Sequence, residues 1–380
     1  MLSSHNLLKP ATGEPVVAPN QDIVWGAYYI TRPDEEKEEK EDKELKHFSD
    51  EQEALLAHES GVINLHDPIR VYIEENEGVT RTTVGRIIFN KLLPPKLRFH
   101  NGIVDKGVLK KIVREYLYIY KEEETVKFLD QLKDSTFEII TKSGLSWGLY
   151  DLPDFGERER MLEEADQKVE NIWQQYNEGL LTDSERSAQI VELWSNVKEE
   201  ITDVCKSNLG PENPVYSMIE SGARGSWAQL TQVLGMKGLV TSPTGGIIEL
   251  PVKGNFKKGF GVLEYFISTH GVRKGLSDTA LRTANAGYLT RRLVDVSQDV
   301  IVTQEDCGDE EGFAVTREES EEMGSDVFKR IVGRYLAQDL KDTNGKVLMK
   351  AGELITEEVC KAYNRIRAII RLQRIEHDGV

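Results

Sequence analysis

The sequence predicts an α+β, multidomain, helix-rich protein, and three observations support that prediction. Apolar residues recur every three or four positions across 162–176 and 190–204, which indicates an antiparallel helical hairpin. A proline-free stretch at 268–293 keeps helical spacing and indicates a long central helix. Residues 301–380 carry short apolar runs around the turn sequence DTNGK, which predicts a small β-rich C-terminal module.

Bulk properties narrow the class of protein further. The chain has 380 residues and a net charge of −17, and this length predicts two or three domains. No apolar run approaches the ~20 residues of a membrane span, and the first residues lack the basic-then-apolar order of a secretion signal. Cys205, Cys307 and Cys360 lie far apart, so the sequence predicts a cytoplasmic protein without a disulfide framework.

Residues 1–69 are predicted to be the tail of a larger domain that carries a charged insertion. Positions 10–32 are turn-rich and then strand-like or buried. Positions 33–46 are dense in Glu and Lys, which is typical of a solvated insertion rather than a binding segment. A short helix is predicted next, because Ser49 and Gln52 stand at capping-box spacing before an apolar run.

Residues 70–150 are predicted to form a compact region of mixed structure. The alternation of apolar and polar residues at 68–75 indicates a strand at its start. An apolar segment then ends at Pro94 and Pro95, and two amphipathic helices are predicted between 101 and 144.

Residues 151–210 contain the helical hairpin. Gly179 suits the end of the first helix, and Thr182 with Glu185 has the spacing of a capping box that begins the second. Each arm is expected to be about 30–35 Å long. The charged outer face indicates a hairpin that extends into solvent, either as a structural strut or as a docking post for partners.

Residues 211–300 begin with a glycine-rich entry to a short helix at 226–234. A loop, GMKG, follows, and a β-hairpin is predicted to turn at PTGG. Glycines at 222, 225, 235 and 238 allow close approach of another group to the backbone. The segment matches neither phosphate-binding loop motif, so it is not predicted to bind a nucleotide by itself.

The long helix is unusual in its glycines and its charge. Gly271, Gly275 and Gly287 each cost about 1 kcal/mol of helix stability relative to alanine. Between 253 and 292, eight Lys or Arg residues stand against two acidic residues, which can mark the path of a polyanion. The same features also suit a solvated charged face and close packing between helices, so the residues alone leave these alternatives open.

One long stretch, from Ser221 to Gly308, resembles the largest (beta-prime) subunit of bacterial DNA-directed RNA polymerase. It contains SGARGSWAQLTQVLGMKGL and FISTHGVRKGLSDTALRTANAGYLTRRLVDVSQD. Shorter matches precede it in the family's order, namely MLSSHNLL with PATGEP, then TTVGR, then IWQQYNEGLLTDSER. The resemblance covers essentially the whole chain and is far more specific than a single short motif.

The resemblance implies that 262–297 is the family's bridge helix, roughly 54 Å long, which spans the main cleft beside the end of the RNA–DNA hybrid. It implies hinges at Gly271 and Gly275, since glycine is a common site of helix kinks. The residues that it implies to contact template or hybrid are Arg273, Lys274, Thr279, Arg282, Thr283, Ala284, Gly287, Tyr288, Arg291 and Arg292. The small residues among them suit a base pair, and the cations suit phosphates.

The resemblance also assigns expected roles to the flanking regions. Residues 70–150 correspond to the funnel, and the hairpin corresponds to the rim of the secondary channel through which nucleotides enter. Regulatory factors of the family dock at that rim, so the expected docking tip is Asn177, Glu178 and Gly179. The loop expected to support the bridge helix contains Arg224, Gln229, Gly235, Met236 and Lys237.

The complete enzyme of this family uses magnesium and zinc, and neither is expected to be fully bound by this chain. The aspartate motif NADFDGD, which holds the catalytic magnesium, does not occur in the sequence. Cys307 matches one of four zinc-binding cysteines, and the other three are expected beyond Val380, since Cys205 and Cys360 lack the spacing to replace them. The sequence therefore predicts an internal part of the subunit, with 301–380 incomplete, that is inactive alone.

The resemblance implies several partners, all within a cytoplasmic, nucleoid-associated enzyme without membrane contact. They are the DNA template and RNA–DNA hybrid, the beta and alpha subunits, the remainder of beta-prime, and channel-binding regulatory factors. Two other functions stand beside this one. The chain could be a stand-alone interaction module that binds such factors through the 154–207 hairpin, or a helical nucleic-acid-binding scaffold unrelated to transcription.

Overall fold

The computed structural model describes residues 4, 6–9, 15–34, 37, 44–74, 78–120, 122–301, 303, 312–324, 326–341, 347–355 and 370–372. Helices dominate these residues, and the sheets within them have two or three strands. The predicted α+β, helix-rich class is therefore confirmed, while the predicted domain boundaries stay predictions.

The first part of the chain combines helices with one three-stranded sheet. Its elements are α1 (Asp22–Thr31), β1 (Lys46–Phe48), α2 (Glu51–Glu59), β2 (Pro68–Ile73), β3 (Gly78–Thr83), α3 (Val84–Leu92), α4 (Lys106–Ile119) and α5 (Glu122–Ser143). β1 pairs with β2 in parallel, and β2 pairs with β3 in antiparallel register. The strand predicted at 68–75 and the two helices predicted between 101 and 144 are confirmed.

The stretch at 10–32 was predicted to become strand-like or buried towards its end. Its residues 22–31 are largely buried, but they form a helix, α1. α1 packs against α5 so closely that a Cβ on Gly26 would lie 2.7 Å from the carbonyl oxygen of Thr136. Val24, Ala27 and Ile30 are buried in the same core. Because this helix is buried on more than one face, it lacks the polar stripe that identifies an amphipathic helix, and its β-branched and aromatic residues favour a strand.

The predicted cap of α2 is displaced by one residue. The carboxylate of Asp50, not the hydroxyl of Ser49, accepts the N–H of Glu53 at 2.7 Å. The Glu53 carboxylate in turn accepts the N–H of Ser49 at 2.6 Å. The capping box predicted from Ser49 and Gln52 is therefore wrong by one position, because an aspartate caps a helix as well as a serine does.

The hairpin consists of α6 (Glu157–Asn177) and α7 (Asp183–Asn208). The capping box of Thr182 and Glu185 is confirmed, since Glu185 N–H donates to Thr182 Oγ1 at 3.3 Å and Thr182 N–H donates to Glu185 Oε2 at 2.9 Å. Gly179 has a φ of 80°, the left-handed conformation expected after a helix end. The arms are about 32 and 39 Å long, so the second exceeds the prediction.

The next elements are α8 (Pro214–Glu220), α9 (Trp227–Leu234), β4 (Gly238–Thr241), β5 (Ile247–Val252) and α10 (Val262–Ser297). The short helix, the β-hairpin and the long helix were all predicted, and α10 has the predicted bounds. α6, α7, α8 and α9 share a core that includes Ile190, Trp194, Ile201, Leu230 and Leu234. This core holds the base of the hairpin against the segment that leads into α10.

The C-terminal part contains β6 (Phe313–Val315), α11 (Arg317–Glu322), α12 (Val327–Ile331), β7 (Leu340–Lys341), β8 (Val347–Met349) and β9 (Ile370–Leu372). β7 and β8, which lie on either side of the sequence DTNGK, pair with each other as predicted, and β6 pairs with β9. DTNGK itself lies outside the described residues. The β-branched residues that follow α10 favour a strand, but Val300 and Ile301 are exposed and lie in no strand. Residues 304–311 and 356–369 lie outside the described residues.

Candidate nucleic-acid interface

The long helix α10 is attached to the rest of the protein near one end. Ile267 and Ser268 are buried, whereas every residue from 279 to 297 is exposed. The exposed residues of this helix include large apolar side chains: Leu276, Leu281, Tyr288, Leu289, Leu293, Val294 and Val296. So many exposed large apolar side chains on one helix are typical of a surface that contacts a partner.

Helix geometry sorts the predicted contact residues by face. Arg273 and Arg291 stand five turns apart, about 27 Å along the axis, and share one face with Ala284. Lys274 and Arg292 repeat the same spacing one residue later. Between Arg273 and Arg291 this face carries small residues, namely Ala280, Ala284 and Gly287. The helix thus places Arg273 and Arg291 at the two ends of one small-residue surface, whereas Lys274 and Arg292 point about 100° away from it around the axis.

Arg282 is the predicted contact that lies furthest from this surface around the helix. It lies about 180° from Arg273 around the axis. Its neighbours on that side are Gly275, Leu289 and Leu293. Arg282 therefore points away from the small-residue surface.

Two threonines flank the small-residue surface. The hydroxyl of Thr283 donates to the carbonyl of Thr279, and the hydroxyl of Thr279 donates to the carbonyl of Gly275, both at 2.8 Å. Because these hydroxyls are satisfied within the helix, the side chains present their methyl groups outward. This side of α10 is therefore small and apolar between its charged ends.

The basic tract at 253–292 contains some cations that form ion pairs with acidic side chains and others that do not. Three lysines that precede α10 form ion pairs with acids in or just before α6: Lys253 with Asp166 at 2.6 Å, Lys257 with Asp154 at 3.1 Å, and Lys258 with Glu159 at 3.0 Å. Within the described residues, the cations of α10 form no ion pair, although Arg292 stacks over the Tyr288 ring at 4.5 Å. Among the described residues of this tract, the positive charge that remains unpaired is therefore on α10.

The glycines of α10 are not required by packing inside the described structure. A Cβ at Gly275 or Gly287 would meet no atom within 4 Å, and one at Gly271 would meet only Val240, at 3.9 Å. The alternative explanation, close packing between helices, therefore gains no support from the described residues. The helix is continuous through Gly271 and Gly275, and their role as hinges stays a prediction.

Glu264 fixes the start of α10. Its Oε1 accepts the N–H of Lys253 at 2.8 Å and of Gly254 at 2.9 Å, and its Oε2 accepts the N–H of Gly261 at 2.8 Å. Partial burial disfavours the charged carboxylate, but the three N–H donors outweigh that effect and lower the pKa of Glu264. The carboxylate thereby ties residues 253–261, here called the anchor segment, to the first turn of the helix.

The predicted supporting loop is partly a core element. Gly235 and Met236 are buried, and a Cβ on Gly235 would lie 2.5 Å from Ile201 of α7. Lys237 N–H donates to the carbonyl of Gly254 at 3.1 Å, so the loop contacts the anchor segment directly. Arg224 and Gln229 are exposed. The loop therefore supports the long helix through its anchor segment and through β4, which contacts α10.

The side chain of Lys237 lies in an apolar setting. Its ammonium is 5.6 Å from the centre of the Phe256 ring and 5.7 Å from that of Phe260. Burial lowers the pKa of this amine. The lysine therefore packs against two aromatic rings of the anchor segment, which also contact each other with ring centres 5.0 Å apart.

Two arginines that the sequence analysis missed connect the hairpin to its surroundings. The Arg186 guanidinium stacks over the rings of Trp173 at 4.2 Å and Tyr176 at 4.9 Å, and it bonds both carboxylate oxygens of Glu249 at 3.1 Å. Arg158 donates hydrogen bonds to the main-chain carbonyls of Gly235 and Lys253. Each arginine stands four residues before an apolar core position and therefore lies on the buried face of its helix. A charged residue at a position where the helical pattern predicts an apolar one was the sequence signal that could have identified both.

The predicted docking tip is accessible. Asn177, Glu178 and Gly179 are exposed, and so is Leu180 beside them. The stack of Arg186 on Trp173 and Tyr176 lies one to two turns below and holds the two helices together. The tip is therefore an exposed surface, and its role as a docking site stays a prediction.

The described residues do not fit a magnesium or zinc site. In the described ranges, no group of three or more His, Cys, Asp or Glu side chains could hold a metal ion. Cys205 is buried, and burial raises the pKa of its thiol to about 11, which disfavours the thiolate that zinc needs. Cys307 and Cys360 lie outside the described residues. As for membranes, no described helix is long and apolar enough to cross one.

Comparison with known proteins identifies the class. Models of RNA polymerase Rpb1 match this chain at domain 3 over residues 6–152, at domain 4 over 161–265 and at domain 5 over 259–357. Three successive domains of one subunit thus follow each other in order and account for most of the chain.

Individual proteins similar to this chain point to the same RNA polymerase subunit. The DNA-directed RNA polymerase subunit beta' of Caldicellulosiruptor saccharolyticus is 44% identical over 382 residues, covering 95% of this chain and 32% of the relative. The subunit beta' of Pelotomaculum thermopropionicum is 45% identical over 359 residues, covering 94% and 30%. That of Bacillus cytotoxicus is 40% identical over 408 residues, covering 95% and 34%. The chain belongs to the beta' family of RNA polymerase subunits, and it spans about a third of the length of these relatives.

Proposed function

We propose that this chain serves in template-directed RNA synthesis as part of a DNA-directed RNA polymerase. It supplies the bridge helix, the funnel and the rim of the secondary channel, and it does not hold the catalytic metal. The observation that carries this proposal is α10, whose exposed small-residue surface lies between Arg273 and Arg291.

The geometry of α10 suits the end of a nucleic-acid duplex. Small side chains at Ala280, Ala284 and Gly287 let the last base pair approach the helix backbone. The cations at either end meet phosphates, which position a duplex without reading its sequence. The apolar residues on the other faces are covered by protein elements of the assembled enzyme.

The partners follow from the same assignment. The DNA template and the RNA–DNA hybrid lie against α10, and the beta subunit, the alpha subunits and the remainder of beta-prime complete the cleft. Channel-binding regulatory factors dock at the tip formed by Asn177, Glu178 and Gly179. When bound in the complete enzyme, magnesium supplies the nucleotidyl-transfer chemistry and zinc a structural site. The enzyme works in the cytoplasm, at the nucleoid.

The alternative of a stand-alone interaction module is less favoured. That function requires only the hairpin, yet the chain retains three successive family domains and a long helix whose exposed surface the hairpin does not use. A scaffold unrelated to transcription does not account for the similarity of nearly the whole chain to beta' subunits.

The proposal is tested by assembly. We expect the purified chain to show no magnesium-dependent RNA extension on a template–primer scaffold, because it lacks the aspartate motif. Combined with beta, alpha and the remaining parts of beta-prime, it should give an active enzyme. RNA extension by the chain alone, or failure of the beta subunit to co-purify with it, contradicts the proposal, and the second result favours the interaction module.

A further inference from the structure

The anchor segment is bound to α6 of the hairpin by a dense set of polar contacts. Besides the three lysine–carboxylate pairs, Arg158 of α6 contacts the anchor segment. This arginine is buried, with only 9% of the residue exposed. The Nε of Arg158 donates to the carbonyl of Gly235, and its Nη2 donates to the carbonyl of Lys253, each at 2.6 Å. One side chain thus joins α6, the supporting loop and the anchor segment.

Only one residue, Lys253, connects Arg158 to the first turn of α10. The carbonyl of Lys253 accepts from Arg158, while the N–H of Lys253 donates to Glu264 in the first turn of α10. The two arginine bonds are charge-assisted and lie in a buried site, where such hydrogen bonds are strong and their loss is costly. The orientation of α10 therefore depends on this contact more directly than on any surface ion pair.

The length of α10 amplifies small changes at its anchor. The contact surface at Thr283 and Ala284 lies about 30 Å along the axis from Glu264. A rotation of about 1° at the anchor moves that surface by about 0.5 Å. Misplacement of reacting groups by about 1 Å can cost about 100-fold in rate.

We propose that Arg158 is a positioning residue for the long helix: it holds the anchor segment so that the small-residue surface of α10 meets the nucleic acid in register. This proposal rests on the function proposed above and adds a residue outside the interface to it. Arg158 touches no substrate and acts only through the carbonyls of Gly235 and Lys253.

The test compares Arg158→Met and Arg158→Lys with a matched control, Arg160→Met, in the assembled polymerase. Arg160 lies two residues further along the same helix, is exposed, and pairs only weakly with Glu164 at 3.5 Å. We expect Arg158→Met to lower the maximal rate of nucleotide addition by about tenfold or more, with the nucleotide KM changed by less than about twofold. Arg158→Lys keeps the charge and one hydrogen bond, so about a two- to tenfold fall is expected. The control should stay within about twofold.

Hydrogen exchange separates positioning from general stability. In the purified full chain, Arg158→Met should speed exchange of the amides at 262–276, while those at 190–204 in α7 keep their protection. Unchanged protection of 262–276, or equal loss in both segments, overturns the proposal, as does a wild-type addition rate for Arg158→Met. If Arg158→Met does not assemble, a wild-type rate for Arg158→Lys overturns it. An inactive wild-type assembly contradicts the proposed function instead, and the exchange result still decides the role of Arg158.

Discussion

At the scale of single residues, several charged side chains of this protein form hydrogen bonds that join separate segments of the chain. Arg158, Arg186 and Glu264 each bond groups that belong to other segments of the chain. Their partners are main-chain carbonyls, a carboxylate and main-chain N–H groups. Such buried or half-buried contacts fix the relative placement of segments, because an unsatisfied partner is costly there. The charges that meet nucleic acid in the proposed function are a different set, on α10.

Glu264 gives a pH prediction at this scale. Its pKa is lower in the folded chain than in the unfolded one, so the folded state binds its proton less readily. Its contribution to stability is therefore full above the unfolded pKa, about 4.3, and is lost as the pH falls through the folded pKa. We expect Glu264→Gln to destabilise the chain at pH 7 and the difference from wild type to shrink as the pH falls below the unfolded pKa. Denaturant unfolding followed by circular dichroism measures this, and a difference that does not change with pH contradicts it.

At the scale of elements, α10 combines a fixed start with an unsupported length. Its first turn is held by Glu264 and its next turns by β4 and β5, whereas residues 279–297 are exposed throughout. A helix with apolar side chains on several faces and no cover is stabilised largely by its partners. The glycines then matter, because each lowers the intrinsic stability of the uncovered part.

Gly275 provides the prediction for this element. Since a Cβ there meets no atom within 4 Å, Gly275→Ala should stabilise α10 in the purified chain by about 1 kcal/mol. If this position is a hinge, the same change should slow nucleotide addition in the assembled enzyme. Ala286→Gly, at another exposed position of α10, is the control and should destabilise the helix by a similar amount. Helix content and addition rate are the two measurements; a stabilised helix with an unchanged rate argues against the hinge.

At the scale of the whole molecule, the fold sorts a negatively charged chain into neutralised and available cations. The chain carries a net charge of −17, and its basic tract at 253–292 divides at the start of α10. The lysines before that point are paired with α6, and the cations beyond it are not paired within the described structure. Only the second group is expected to release counterions from a nucleic acid.

This sorting predicts the salt dependence of binding. In the assembled polymerase, Arg273→Gln with Arg291→Gln should weaken binding of an RNA–DNA hybrid scaffold and lower the salt slope of log affinity by about 2. Lys257→Gln with Lys258→Gln removes the same charge from paired positions and should leave the slope unchanged. Fluorescence anisotropy over a range of salt concentrations measures both. Equal slopes for the two double variants show that the division of charge is wrong.

Local patterns in the sequence determined much of this fold. A long helix over 268–293, the hairpin of α6 and α7, and the capping box of Thr182 and Glu185 were predictable, because periodicity and capping depend on residues a few positions apart. The bounds of α10 at 262 and 297 followed from the resemblance instead. The similarity to RNA polymerase beta' subunits was likewise carried by contiguous motifs, and the residues of α10 that the resemblance implies as contacts follow from them.

The tertiary structure decided what depends on residues far apart in the chain. It made the 22–31 segment a helix buried against α5, paired Lys253 with Asp166 across 87 positions, and placed Arg158 against Lys253 across 95. It also showed that Gly275 and Gly287 have no described neighbour that requires a glycine. No local pattern encodes such contacts, because they are set by how the helices pack and not by the spacing of residues within each helix.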